Sequence, residues 1–334
     1  MTITELAKEA GVSIATVSRF LNKGPVKEET RKKLEAIVLK HNFVPSKISK
    51  EIINGQTKTI AVLTHSVSNM YTAEFAEAVV NLSSERKMTC YTGCCSGLES
   101  EYNYLLDFVG RKINGVILHE PKDGEAQLKL YERIAGRLPL VWIHSIPVDI
   151  EVNSISVNQE KGMKLAMEYL IGLGHKRIAY VTGQKGYSYT LKQQLWREEL
   201  TKIGCPPLEC DLITAERTDF IDGIKTTQEA VVKYLAAGNR PTAIFTANDI
   251  MAMGTINALS QFGLRVPDDV SIMSHDNTII ADSMNLTCVD MKIKSVAIAA
   301  MDLMDYAMNG SDKTPRHITI TPELVLRQSC RSLL

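Results

Sequence analysis

No stretch of the 334-residue sequence reaches the roughly 18 uncharged apolar residues that a membrane-crossing helix needs. The opening MTITELAKEAG also lacks the apolar segment of a secretion signal. These two absences predict a soluble, cytoplasmic protein with no membrane partner. Aromatic residues are scarce at 6% while apolar residues as a whole reach 45%, so any core is built mainly from aliphatic side chains. The chain exceeds one typical domain of about 100 to 200 residues, and two or three are expected. Its seven cysteines, Cys90, Cys94, Cys95, Cys205, Cys210, Cys288 and Cys330, are odd in number and have no paired C-x-x-C spacing. They predict reduced thiols rather than a disulfide framework. Cys90, Cys94 and Cys95 come nearest to a soft-metal site, but they alternate as in a strand, and no metal is expected. G-x-G-x-x-G and P-loop motifs are missing, as is any nucleophile paired with a base. The sequence therefore predicts neither an enzyme nor a cofactor.

Net charge is also lacking, but only in total. Residues 1–58 carry eleven Lys/Arg against six Asp/Glu, whereas the remainder carries 27 against 32. A basic front end on an acidic body fits a segment that seeks phosphates, although an ordinary solvated surface would produce the same numbers.

The front end has helical punctuation. Thr2-x-x-Glu5 is a capping box, opening a helix whose inner face is Leu6, Ala7 and Ala10, and Gly11 supplies a left-handed exit. Ser13 caps a second helix to about Asn22, with Val17, Phe20 and Leu21 turned back toward the first. A third fits Glu28 to His41, with Leu34, Ile37, Val38 and His41 on one packing stripe and Phe43 beneath. Two short helices joined by so brief a glycine turn form a helix-turn-helix. The second helix would enter a major groove, presenting Ile14, Ala15, Thr16, Ser18 and Arg19, though a hairpin that merely packs on a neighbour has the same spacing.

From Thr59 onward, β-branched runs alternate with stretches of helical length. TIAVLTH, MTCYTGC, GVILHE, LVWIHS, RIAYVTG, TAIFTAN and VSIMSHD read as strands, a pattern that gives parallel sheets covered on both faces. About eleven strands are too many for one sheet, so an α/β body of two Rossmann-like subdomains is expected. Ligands in such sheets bind beyond the carboxyl ends of the strands. The residues at those ends are His65, His119 with Glu120, His144, Gly183, Asn248 and Asp276. Singly each is more often a loop-satisfying group; together they would line one cleft.

AGVSIATVSRFLN resembles, nearly residue for residue, the head of the lactose/galactose repressor family of bacterial transcription regulators. The resemblance continues through Glu29-Thr30-Arg31 and Phe43-Val44-Pro45-Ser46 to YLIGLGHKRIAYVTG and RPTAIFTANDIMAMGTINALSQFGLRVPDDVSIMSHDN, covering essentially the whole chain. It implies a helix-turn-helix headpiece over 1–45 and a hinge helix or linker over 46–58. Beyond these it implies two subdomains of periplasmic-binding-protein type, 59–158 with 291–320 and 159–290 with 321–330, between which the chain crosses three times. The hinge segment would be PSKISKEIING, with Ile52 as the minor-groove wedge, Lys50 where arginine is common, and Glu51 adding an acid; an ordinary linker is the alternative. The implied DNA-binding residues are Ser13, Ile14, Ala15, Thr16, Ser18, Arg19, Asn22, Lys50 and Ile52.

For the effector, the resemblance places Asp276 and Asn248 where a carboxylate and an amide bond sugar hydroxyls, and Tyr71 in an aromatic pair whose other member is Thr72 here. Lys192, in KQQLW with Trp196, replaces an arginine, exchanging a planar fork for a point charge. His144 stands where an aspartate is frequent. Phe220 is favoured over Thr218 as the aromatic wall, and Tyr187 and Tyr189 add stacking surface. The implied function is a homodimeric or larger repressor binding a pseudo-palindromic double-stranded operator, controlled by a small molecule, expected to be a carbohydrate. A purine-like corepressor or a phosphocarrier protein remains as an alternative regulator. A periplasmic-type sugar receptor is the competing class, opposed by the basic head and the missing signal segment.

Overall fold

Thr2 and Glu5 open the first helix by reciprocal capping. The Glu5 amide donates to Thr2 Oγ1 at 3.2 Å and the Thr2 amide donates to Glu5 Oε2 at 2.7 Å. The computed structural model describes residues 1–21, 24–43, 59–95, 97–120, 125–144, 151–184, 186–216, 220–312 and 314–334. It divides into two units, Met1–Thr57 and Lys58–Leu334.

In the first unit α1 spans Ile3–Ala10, α2 Ile14–Leu21 and α3 Glu28–Lys40. Gly11, at φ 67°, provides the left-handed exit from α1, where a Cβ would be strained. Ser13 Oγ accepts the Thr16 amide at 3.2 Å and starts α2. Leu6, Ala7, Ala10, Val17, Leu34 and Ile37 form the core, with Phe20, Leu21, Val38 and Phe43 packed around it. His41 departs from the expected packing stripe: the helix ends at Lys40, and the imidazole is half-exposed, 3.0 Å from Glu9 Oε2. Lys40 binds Glu9 as well, and these two hydrogen bonds hold the Glu9 carboxyl below its usual range.

The second unit contains twelve described strands in two six-stranded sheets. The first sheet takes β1 Thr59–Thr64, β2 Thr89–Cys94, β3 Gly115–His119, β4 Leu140–His144, β5 Asn153–Val157 and β11 His317–Ile320, in the order β11-β5-β4-β3-β1-β2. The second takes β6 Ile178–Gly183, β7 Leu212–Ala215, β8 Ala243–Thr246, β9 Ser271–Asp276, β10 Thr287–Asp290 and β12 Glu323–Val325, ordered β12-β10-β9-β8-β6-β7. Ladders are parallel except β10–β12. The chain moves from the first sheet to the second after β5, returns after β10, and crosses again between β11 and β12.

Helices α4 Met70–Glu85, α5 Leu98–Gly110, α6 Glu125–Ala135 and α12 Ile293–Asn309 accompany the first sheet. Around the second lie α7 Gln159–Gly172, α8 Tyr187–Lys202, α9 Phe220–Ala236, α10 Asp249–Gln261 and the short α11 Ile279–Ser283. Alternation along β1 explains the layering. Ile60 and Val62 face the core formed with Phe75, Val79 and Met301, whereas Ala61 and Leu63 face Leu105, Phe108 and Tyr131. Ile117 and Val141 repeat the first set, Leu118 and Trp142 the second. Both faces are buried, which is why these strands read as continuous apolar runs. In the second lobe α9 and α10 touch so closely that a Cβ on Gly254 would lie 2.5 Å from the Ile224 carbonyl. The Trp196 indole, fully buried, ties α8 to β6 by donating to the Ile178 carbonyl at 3.0 Å.

Candidate functional sites: a helix-turn-helix face and an interlobe cleft

On the head, Ser13, Ile14, Ala15 and Arg19 are exposed, and Thr16 and Ser18 are half-buried. Ile14 leaves 48% of its surface to solvent, so its apolar side chain is available to a partner. The Ser13 and Thr16 hydroxyls lie 2.9 Å apart, so one of them orients the other. Arg19 Nε donates to the Ala15 carbonyl at 3.4 Å, so the guanidinium lies back along its own helix, with Nε occupied there. Asn22, Lys50 and Ile52, with the rest of PSKISKEIING, lie outside the described residues.

In the body, the carboxyl ends of β1, β3, β8 and β9 carry polar groups with contrasting fates. His65 is committed within the first lobe: its Nε2 pairs with buried Glu101 at 2.9 Å and its Nδ1 lies 3.2 Å from the Cys95 carbonyl. Tyr131 donates its hydroxyl to the other Glu101 oxygen. His119 is buried, stacked on Phe75 at 4.7 Å between centroids and tilted against Tyr71 at 5.7 Å. Its Nε2 has no hydrogen-bond partner among the described residues. Burial depresses its pKa and favours the neutral ring, against the opposing charge of Glu120.

Tyr71, at the start of α4, is half-buried against His119. Burial raises its phenol, and Glu120, Asp276 and Asp290 add to the shift, so its surroundings draw on the end of β3, the end of β9 and the end of β10. In the second lobe three groups form a chain, Lys192 and His275 buried and Asp276 partly exposed. Lys192 Nζ donates to the Ala247 carbonyl at 3.3 Å and lies 3.1 Å from His275 Nδ1; that same nitrogen is 3.0 Å from Asp276 Oδ1. Nδ1 bears one hydrogen or one lone pair, so it serves the ammonium or the ionised carboxylate, not both. Burial pushes Lys192 down to about 8, with Asp276 and Glu120 opposing. It also drives Asp276 well above the carboxylate range, where Lys192 opposes and Asp249, Glu120 and Glu74 add to the rise. His275 falls well below its ordinary value for the same reason, with Lys192 contributing. Lys192 is 3% exposed, and its Nζ lies within hydrogen-bond reach of the Ala247 carbonyl and His275 Nδ1.

Asn248 is also buried, and its Oδ1 caps α10 by accepting the Met251 amide at 2.9 Å. The amide NH2 is the end it can offer a ligand. Tyr187 begins α8 and is 39% exposed, while Tyr189 packs on the core. For His144 at the end of β4 and Phe220 at the start of α9, only the backbone position is described. Three residues were not singled out from sequence. His275 looks like one more strand position. Asp249 and Glu74 look like ordinary acids near helix starts, yet Asp249 is 1% exposed and Glu74 Oε1 accepts the Ile279 amide of the other lobe at 2.7 Å. A separate groove of about 430 Å³ runs along β7 and α9, lined by Thr214, Glu229, Lys233 and Tyr234 among others; the strand-end groups lie elsewhere.

A helix-turn-helix presenting an exposed recognition helix, joined to two parallel sheets whose carboxyl ends meet at a polar cleft, defines a ligand-regulated DNA-binding protein. Residues 2–46 match the model of "Bacterial regulatory proteins, lacI family", and residues 167–330 match "Periplasmic binding protein-like domain". The HTH-type transcriptional repressor PurR of Photobacterium profundum is 30% identical over 99% of both chains. Catabolite control protein A of Priestia megaterium is 28% identical, again over 99% of each. A Lac repressor solved bound to ONPG in the repressed state superposes with a TM-score of 0.81 at 25% identity, covering 98% of this chain and 99% of that one. The chain belongs to the lacI family of bacterial regulatory proteins: it is a DNA-binding transcriptional regulator answering to a small-molecule effector.

Proposed function

We propose that this regulator is a cytoplasmic homodimeric repressor whose effector is a sugar or sugar derivative. The supporting observations are the Asp276 carboxyl at the end of β9, the Asn248 amide capping α10, and Tyr71 at the start of α4 in the other lobe, whose phenol is within the influence of the Asp276 charge. A carboxylate and an amide bond vicinal hydroxyls, and an aromatic ring stacks on a sugar face. His144, Tyr187 and Phe220 complete the proposed lining, and Lys192 sets the charge on Asp276 from behind. Ser13, Ile14, Ala15, Thr16, Ser18, Arg19 and Asn22 are proposed for the operator, with Lys50 and Ile52 acting from a hinge over 46–58. The subdomain limits 59–158 with 291–320 and 159–290 with 321–330 belong to the same proposal, as does regulation rather than catalysis.

A thermal-shift screen with monosaccharides, disaccharides and purines tests the effector class, because a ligand at a hundredfold excess over its Kd stabilises the folded state by about 2.7 kcal/mol. A sugar hit is expected; a purine hit alone, or response only to a phosphocarrier protein, overturns it. With the hit in hand, Asp276→Ala is expected to keep effector-free operator affinity and to lose roughly 1.5 to 3 kcal/mol of effector binding. An undiminished effector response in that variant would remove Asp276 from the site.

A further inference from the structure

The turn after β9 is strained and heavily restrained. Asp276 and Asn277 have φ of 111° and 61°, two successive residues with side chains in left-handed territory. Such residues cost about 1 to 3 kcal/mol each and persist only where their surroundings over-determine them. Here the restraint is Asp249. One carboxylate oxygen accepts Ser274 Oγ at 2.5 Å, before the turn. The other accepts both the amide and the hydroxyl of Thr278, after the turn, at 2.7 and 2.8 Å. Asn277 Oδ1 is held by Arg327 at 2.9 Å.

Immediately beyond the clamp, the Ile279 amide is taken by Glu74 Oε1 of α4, from the opposite lobe. Asp276, whose Oδ1 lies 3.0 Å from His275 Nδ1, and the Ile279 amide gripped by the other lobe are thus three residues apart on one restrained segment. We propose that Glu74 is a lobe-closing latch and Asp249 the positioning residue that sets its catch, so that reorientation of Asp276 is transmitted to the lobe-to-lobe contact. The device serves the effector reading of the cleft, but it is testable without any effector.

Amide hydrogen exchange on the full-length protein provides that test. Glu74→Ala should accelerate exchange in the peptide spanning 277–283 by about tenfold, the loss of one charge-assisted hydrogen bond. Glu74→Gln, which keeps an acceptor oxygen, should stay near wild type. Asp249→Asn should accelerate exchange in 277–283 and also at the start of α4, residues 70–78, although Asp249 lies in the other lobe. A purely local role for Asp249 would leave 70–78 unchanged. Thr278→Val removes the hydroxyl that donates to Asp249 and also caps α11 by accepting the Ile280 amide at 3.3 Å, so if Asp249→Asn fails to fold the exchange at 70–78, outside that cap, is the readout that tests the same transmission. The proposal is overturned if Glu74→Ala leaves 277–283 at the wild-type rate, or if the Asp249 and Thr278 variants change only the second lobe. A failed sugar screen would leave these outcomes intact.

Discussion

The head and the body handle their functional residues in opposite ways. On the head, Ile14, Ala15 and Arg19 are exposed on one helix, with Ser13 exposed at its start, and the helix rests on a core cluster of six buried residues among those described. In the body Asn248, Lys192 and His275 are buried and Asp276 is partly so, brought together from segments far apart in sequence, and burial shifts the ionisation of Lys192, His275 and Asp276. The head can thus be a locally encoded reading surface, simple to build and easily unfolded. The body holds its polar groups in a costly arrangement, which a ligand or a change of lobe geometry can shift.

The largest expected effect breaks this contrast at its weakest point. Leu34→Ala removes a fully buried side chain from the head core and should cost about 2 to 5 kcal/mol, enough to melt a domain of this size. Calorimetry is expected to show loss or sharp lowering of the head transition with the body transition unchanged; a uniform shift of both would mean that the two units unfold together.

Arg19→Ala sharpens the contrast from the other side, since it touches no core. It should weaken operator binding by about 1 to 3 kcal/mol and relax preference at one base pair per half-site. An unchanged ratio of operator to scrambled-DNA affinity would take Arg19 off the base edges.

The smallest effect is a pH slope confined to the body. Burial raises Asp249 to about 6, against Ser274 and Thr278, which favour the ionised form. Between about 4 and 6 the folded state therefore holds a proton that the unfolded state releases. Stability attributable to Asp249 is present below the unfolded value and is lost as pH rises through the folded one, by at most about 1.4 kcal/mol per pH unit for one group. Asp249→Asn should remove that component, seen as a change in the slope of denaturation midpoint against pH between 4 and 6. A difference between variant and wild type that is constant with pH would mean that Asp249 ionises normally.

Much of the head was legible because its signals are local. The Thr2–Glu5 box, the Gly11 exit and the Leu6, Val17 and Leu34 spacings each act over a turn or two of helix. His41 was misplaced because a stripe drawn on an ideal helix does not know that the helix stops at Lys40 and that Glu9 waits nearby. The long strands of the body were legible from their apolar runs, but NSISV, LITA, TCVD, HITI and ELV are short, polar or at a sheet edge, and their pairing comes from neighbours rather than from their own composition.

By itself the sequence determined the helix starts and stops of the head, the two-sided burial of the central strands, and the strand-end positions of Asn248 and Asp276, because capping and side-chain period are properties of neighbouring residues. Only the tertiary structure decided what those ends do. His65 turns inward to Glu101, Lys192 and Asp276 compete for one nitrogen of His275, and Glu74 crosses to Ile279. Each of these outcomes depends on which strands lie side by side and on the low-dielectric environment that their packing creates, and neither is a property of any short segment.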